Sequence, residues 1–181
     1  MAPSKARLAL VFATLLVGLG PASAEQPQSG PAVAAQGFRY QQIQRPGSDV
    51  VTHVSECEEP ACGPGSKVSY IVVKAQPHSL EAYKSARDQM AAYMRREAPE
   101  GMTFEFDAPT LHTIGDVTVY EARRVQTSAD GSRVVVVSKS MFYGDNQVDL
   151  VSSSSFPKVA EGNARVFEAL ILAAMALRNG R

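Results

Sequence analysis

From Phe38 onward the apolar positions recur with a period of two, then of 3.6, then of two again. FRYQQIQ (38–44) sets Phe38, Tyr40 and Ile43 among polar residues and predicts a strand. Arg45-Pro46-Gly47-Ser48 follows with Pro and Gly at the centre of a type II turn. DVVTHVSE (49–56) then predicts a second strand, and the β-branched and aromatic KVSYIVVKA (67–75) a third. In HSLEAYKSARDQMAAYMRREAPEG (78–101) the period changes, and Leu80, Tyr83, Ala86, Met90 and Met94 fall along one face of a helix. Ser79 suits its N-cap and Glu81 its first turn; Arg95 and Arg96 suit its last turn, with Pro99 and Gly101 as the stop. A Met and Tyr stripe at this spacing is read as core rather than as a ligand groove.

Strands return with MTFEFD (102–107), DVTVYEARRVQT (116–127), SRVVVVSKSMFYG (132–144) and QVDLVSS (147–153). Ala129-Asp130-Gly131 and Gly144-Asp145-Asn146 mark tight turns, so the last three strands form an antiparallel meander. The four consecutive valines Val134–Val137 point alternately to both faces of their strand, which requires both faces to be covered. The expected architecture is therefore α+β: an antiparallel sheet with helices on both faces, an α/β/α sandwich, with a two-layer α+β arrangement as the alternative. A final helix is expected after the serines 152–155, with Ser154 or Ser155 as cap, Pro157 in its first turn and Gly180 at its end. Its buried stripe is read as Val159, Val166, Phe167, Leu170, Ile171, Ala174 and Met175.

The amino terminus changes how the rest is read. Lys5 and Arg7 precede the apolar run Leu8–Leu19, Gly20-Pro21 breaks it, and Ala22-Ser23-Ala24 offers small residues to a signal peptidase. A Sec-type signal peptide over residues 1–24, cleaved after Ala24, is expected, since the run is too short for a bilayer that needs roughly 20 apolar residues. The protein is then expected to be periplasmic. EQPQSGPAVAAQ (25–36) has no periodicity and is read as a flexible tether, leaving residues 37–181 as one domain. Charge is balanced over the whole chain, with 18 basic and 18 acidic residues, so no electrostatic footprint for nucleic acid is present. Arg95-Arg96 and Arg123-Arg124 are read as solvated surface, and no membrane span is expected in the mature chain.

Export decides the reading of the two cysteines. In an oxidising compartment Cys57 and Cys62 are expected to pair as a disulfide, within a segment kept looped by Pro60, Gly63, Pro64 and Gly65. Their C-x4-C spacing is not the C-x-x-C of thioredoxin-type sites. The competing reading is a thiol or metal site built from His53, Cys57 and Cys62 beside Glu58 and Glu59. It lacks the tight paired spacing of zinc or copper sites, and a strand histidine is read as half-exposed. His78 and His112 are tied to no nucleophile, the serine run lacks a G-x-S-x-G or S-x-x-K context, and no phosphate loop appears. No catalytic residue, cofactor or metal site is expected.

The stretch Cys57–Tyr70 (CEEPACGPGSKVSY), with Ala122-Arg123-Arg124, Phe142-Tyr143-Gly144 and Ser152-Ser153-Ser154, resembles a group of small exported bacterial proteins. That resemblance covers most of the mature chain and implies no activity. The order of strands, helix, antiparallel meander and long final helix is similar to PsbP-type domains, which implies an α/β/α sandwich and an accessory or binding role. The expected function is thus a non-catalytic periplasmic accessory or binding module with an unidentified protein or small-molecule partner. The alternative is a thiol- or metal-handling exported protein using His53, Cys57 and Cys62.

Overall fold

The computed structural model describes residues 30–178; the expected leader over residues 1–24, the first five residues of the expected tether (25–29) and the expected helix end at Gly180 lie outside the described residues. Eight strands and two long helices follow in order: β1 (Phe38–Gln44), β2 (Val51–Cys57), a short 3-10 turn (Pro60–Cys62), β3 (Lys67–Lys74), α1 (Leu80–Arg96), β4 (Thr103–Phe106), β5 (Thr110–Ile114), β6 (Val117–Thr127), β7 (Arg133–Tyr143), β8 (Asn146–Ser154) and α2 (Pro157–Arg178). All strands join one antiparallel sheet in the order β1-β2-β3-β8-β7-β6-β4, so the fold is α+β. β4 and β5 share the free edge of β6: β4 pairs with its residues 124–127 and β5 with its residues 117–121. The segment around His112, which carries no strand signal of its own, becomes strand because β6 is longer than β4 and offers unpaired backbone there.

The meander forms as the turn chemistry dictates. Gly131 (φ +80°) and Gly144 (φ +56°) take left-handed conformations that a side chain would strain, and they reverse the chain between β6, β7 and β8. Alternation then sorts the side chains. Val135, Val137, Met141 and Tyr143 of β7 point one way, as do Val148 and Leu150 of β8 and Val68, Tyr70 and Val72 of β3. That layer is closed by α2 through Ala160, Ala164, Phe167, Ile171 and Met175, all nearly solvent-free. The buried stripe of α2 therefore includes Phe167, Ile171 and Met175 as expected, but not Val166, which is 50% exposed. Ala160 and Ala164 replace it: small residues let the first turns of α2 approach Val125, Val135 and Val137 closely.

The alternate residues of β7 point to the other face, and Val136 there is as buried as Val135 and Val137. Tyr120, Ala122 and Arg124 of β6 share that face with Ser140, Ser138 and Val136, their register partners. Ser79 caps α1, accepting a hydrogen bond from the Ala82 amide at 3.1 Å, and the helix ends at Arg96, before Pro99 and Gly101. Its buried face differs from the expected one: Ala86 and Met90 are exposed, whereas Arg87 and Ala91 are buried with Tyr83 and Met94 partly so. The rotation puts an arginine where a reading by hydrophobicity puts an alanine.

Residues 30–36, the carboxy-terminal end of the segment expected as a tether, make defined contacts. Val33 is buried, its amide donates to the Tyr70 hydroxyl at 3.1 Å, and that hydroxyl donates to the Pro31 carbonyl.

Candidate functional site

Cys57 ends β2 and Cys62 lies in the 3-10 turn, and their sulfurs form a disulfide with Cα atoms 5.8 Å apart. The closed loop is held at several points. The Cys57 amide donates to Ser66 O at 2.9 Å, and Asn163 of α2 donates from Nδ2 to the Cys62 carbonyl at 3.1 Å. Gly63 has φ +80°, and a Cβ there would meet Val159 Cγ1 at 2.6 Å, so the loop backbone lies directly on α2. The pair is thus a clamp between β2, its loop and α2.

His53 is fully buried rather than half-exposed. The pattern that put it on a wet face missed its neighbours: its ring stacks on Tyr70 at 4.4 Å, and Nδ1 shares a hydrogen bond of 2.7 Å with the Tyr40 hydroxyl. Glu58 points to Arg39 at 3.2 Å and Glu59 is exposed. The residues proposed for a thiol or metal site are therefore not assembled into one: a disulfide sulfur is not a thiolate ligand. Among the described residues no group of three or more His, Cys, Asp or Glu side chains is placed to hold a metal ion. Burial pushes the Tyr70 phenol up to about 12, against the lowering effect of its bond to Val33.

Two charged clusters escape a reading by motif. The first lies under α2. Lys139 Nζ is 2.8 Å from Glu168 Oε2 and 3.0 Å from Glu121 Oε2, and its side chain is only 4% exposed. His112 Nε2 reaches within 4.0 Å of the other Glu168 oxygen from β5. Parity carried the signal, because Lys139 occupies the inward series of Val135, Val137, Met141 and Tyr143. The Lys139 ammonium is paired with two carboxylates, although Glu168 Oε1 is buried without a hydrogen bond among the described residues, so the cluster reads as a tie between β6, β7 and α2.

The second cluster lies beside α1. The Tyr83 ring stacks on Tyr120 at 4.9 Å, and His78 stacks on Phe142 at 3.6 Å. One turn beyond Tyr83, Arg87 is 8% exposed, and Nε and Nη1 of its guanidinium are buried with no hydrogen-bond acceptor among the described residues. Arg124, on the same face of β6 as Tyr120, also buries Nε without an acceptor among the described residues. Burial lowers the Arg87 pKa, opposed by Tyr83, Asp107 and Asp88. Burial lowers that of Arg124 as well, and the neighbouring positive charge of Arg87 lowers it further. Arg123-Arg124 is thus not one solvated pair. Arg123 leans the other way, to Asp107 at 2.8 Å and towards Glu161 of α2 at 3.8 Å, while Arg124 turns inward.

The remaining candidates are accounted for by the fold. Ser154 Oγ accepts from the Phe156 amide at 3.1 Å and is bonded to Ser66 Oγ at 2.9 Å, so the serine run serves as strand end and helix entry. Ser140 donates to Asp149 at 2.6 Å across the β7–β8 pair. A shallow depression at Gln44–Asp49 is simply the open side of the β1–β2 turn. No protein-family model matches the chain, and no curated protein matches it either.

Proposed function

We propose that the protein is an exported, non-catalytic accessory or binding module, built as a PsbP-like α/β/α sandwich, with its ligand held on the α1 side of the sheet. The sandwich reading is supported by the two sets of contacts: Phe167, Ile171 and Met175 of α2 pack with Val119 and Met141, whereas Tyr83 of α1 stacks on Tyr120, the residue after Val119. Export is supported by the Cys57–Cys62 disulfide, a bond that persists in oxidising compartments. A mature amino terminus at Glu25, read by intact mass after secretion, tests it.

The observation that carries the binding reading is the contrast between the two charged clusters. Lys139 under α2 has two carboxylate partners, Glu168 and Glu121, whereas Arg87 beside α1 has buried donors with neither an acceptor nor an ion pair among the described residues. A scaffold needs the first arrangement and is weakened by the second. Melts of the purified mature protein with dialysate from cells of its source test the reading. A saturable rise in melting temperature, with no change in the chemical composition of the bound species after release, supports a binding module. No shift, or turnover of the bound species, contradicts it.

A further inference from the structure

We propose that Arg87 and Arg124 form a binding site for a small oxyanion group, of the carboxylate or phosphate type, at the layer between α1 and β6. The proposal rests on the binding reading above and names the chemistry of the ligand. The two residues are brought together by elements that pack in parallel ranks. Tyr83 on Tyr120 forms one rank, at 4.9 Å, and the Arg95 guanidinium over the Phe106 ring forms another, also at 4.9 Å. Arg87 lies between Tyr83 and Arg95 on α1, and Arg124 lies beside Phe106 in the sheet register. Both arginines thus border the interval between these ranks, close enough for the charge of Arg87 to act on Arg124.

Neither Arg87 nor Arg124 forms an ion pair among the described residues, although Asp107 and Asp88 are near enough for their fields to reach Arg87. Asp107 is turned to Arg123, 2.8 Å away, and is half-exposed. Two like charges held close, with three buried guanidinium nitrogens lacking acceptors among the described residues, destabilise the unliganded state. An oxyanion placed between them supplies acceptors and removes the repulsion in one step. The guanidinium fork matches carboxylate and phosphate oxygens two at a time, which a lysine in either position would not do. Arg87 is nearly solvent-free, so such an ion would be screened far less by salt than one held on the surface.

The test uses the full mature chain. Thermal melts and calorimetric titrations are run with sodium phosphate, sodium acetate and sodium chloride at one constant ionic strength. The expected result is a saturable rise of several degrees with phosphate or acetate and none with chloride; whichever ion acts identifies the class. Arg124→Lys, which keeps the charge and loses the fork, is expected to weaken that response at least tenfold. Arg87→Met is expected to abolish the response while melting in chloride at or above the native temperature, because the buried charge it removes has no partner. Equal melts in all three salts overturn the proposal, as does a linear, unsaturable response, which would be general salt stabilisation. An unchanged response in the variants also overturns it. So does a marked loss of stability in Arg87→Met, which would mean that the guanidinium is already satisfied within the fold. A dialysate shift without any response to phosphate or acetate would sink the oxyanion and leave the binding reading standing.

Discussion

Lys139 and Glu168 meet at 2.8 Å in a nearly dry layer, joining the central strand β7 to the middle of α2. A pair of this kind contributes little net stability as a pair, yet it is costly to break, because the survivor is left charged and buried. Glu168→Ala is expected to cost about 3 kcal/mol, the low end of the usual range, since Glu121 remains 3.0 Å from the ammonium. Lys139→Met together with Glu168→Leu is expected to fall within about 1 kcal/mol of the native protein. Urea titrations of the single and double variants check both statements.

The α2 layer carries most of the apolar burial. Phe167 is fully buried and meets Phe38 edge to face with ring centroids 5.1 Å apart. Phe167→Ala should therefore cost about 3–5 kcal/mol. Truncation before Val166 removes Phe167, Ile171 and Met175 together and is expected to abolish the cooperative melt. Circular dichroism on heating reads both.

Sequence pattern discloses part of this fold and hides the rest. β1 is found over the expected residues 38–44, and the strands of the meander differ from expectation by a residue or so at their ends, because period-two alternation and Asp-Gly or Gly-Asp turns are local signals. The Ser79 cap and the clustering of Pro60, Gly63, Pro64 and Gly65 around the cysteines are local too. β5 was hidden because its partner, the free edge of β6, is a tertiary fact. Arg87 was hidden for a different reason. Amphipathic analysis assigns arginine to the wet face, so it rotated the buried stripe of α1 toward Ala86 and Met90. His53 was misplaced because no pattern reports that Tyr70 and Tyr40 will enclose it. Arg87 and His53 escape the sequence pattern because there polarity and burial disagree.

Loss of the disulfide should be modest. Cys57 and Cys62 are separated by five positions, and closing so short a loop stabilises by about 2 kcal/mol in the chain-entropy treatment. A Cys57→Ser, Cys62→Ser double variant is expected to remain folded with a correspondingly lower denaturation midpoint. Titration of the native protein under denaturing conditions should find no free thiol before reduction.

Alkaline pH should weaken the fold through Tyr70. Burial raises its folded pKa to about 12, whereas the unfolded chain releases the proton near the ordinary value of 10. The native state therefore holds a proton that the unfolded state has lost. The associated stability is complete below about pH 10 and declines as pH rises towards 12, by up to about 3 kcal/mol. Stability measured at pH 9, 10 and 11 should fall over that window, and Tyr70→Phe should flatten the decline.

On the proposed reading, the α2 side of the sheet is the structural core and the α1 side holds the ligand, with Arg87 and Arg124 left unpaired at a cost in stability. Native-state hydrogen exchange of the mature protein tests it amide by amide. β3, β7, β8 and α2 are expected to exchange only through global unfolding, while α1 opens at a lower free energy when no oxyanion is present. Protection of α1 equal to that of α2 in the unliganded protein would contradict it.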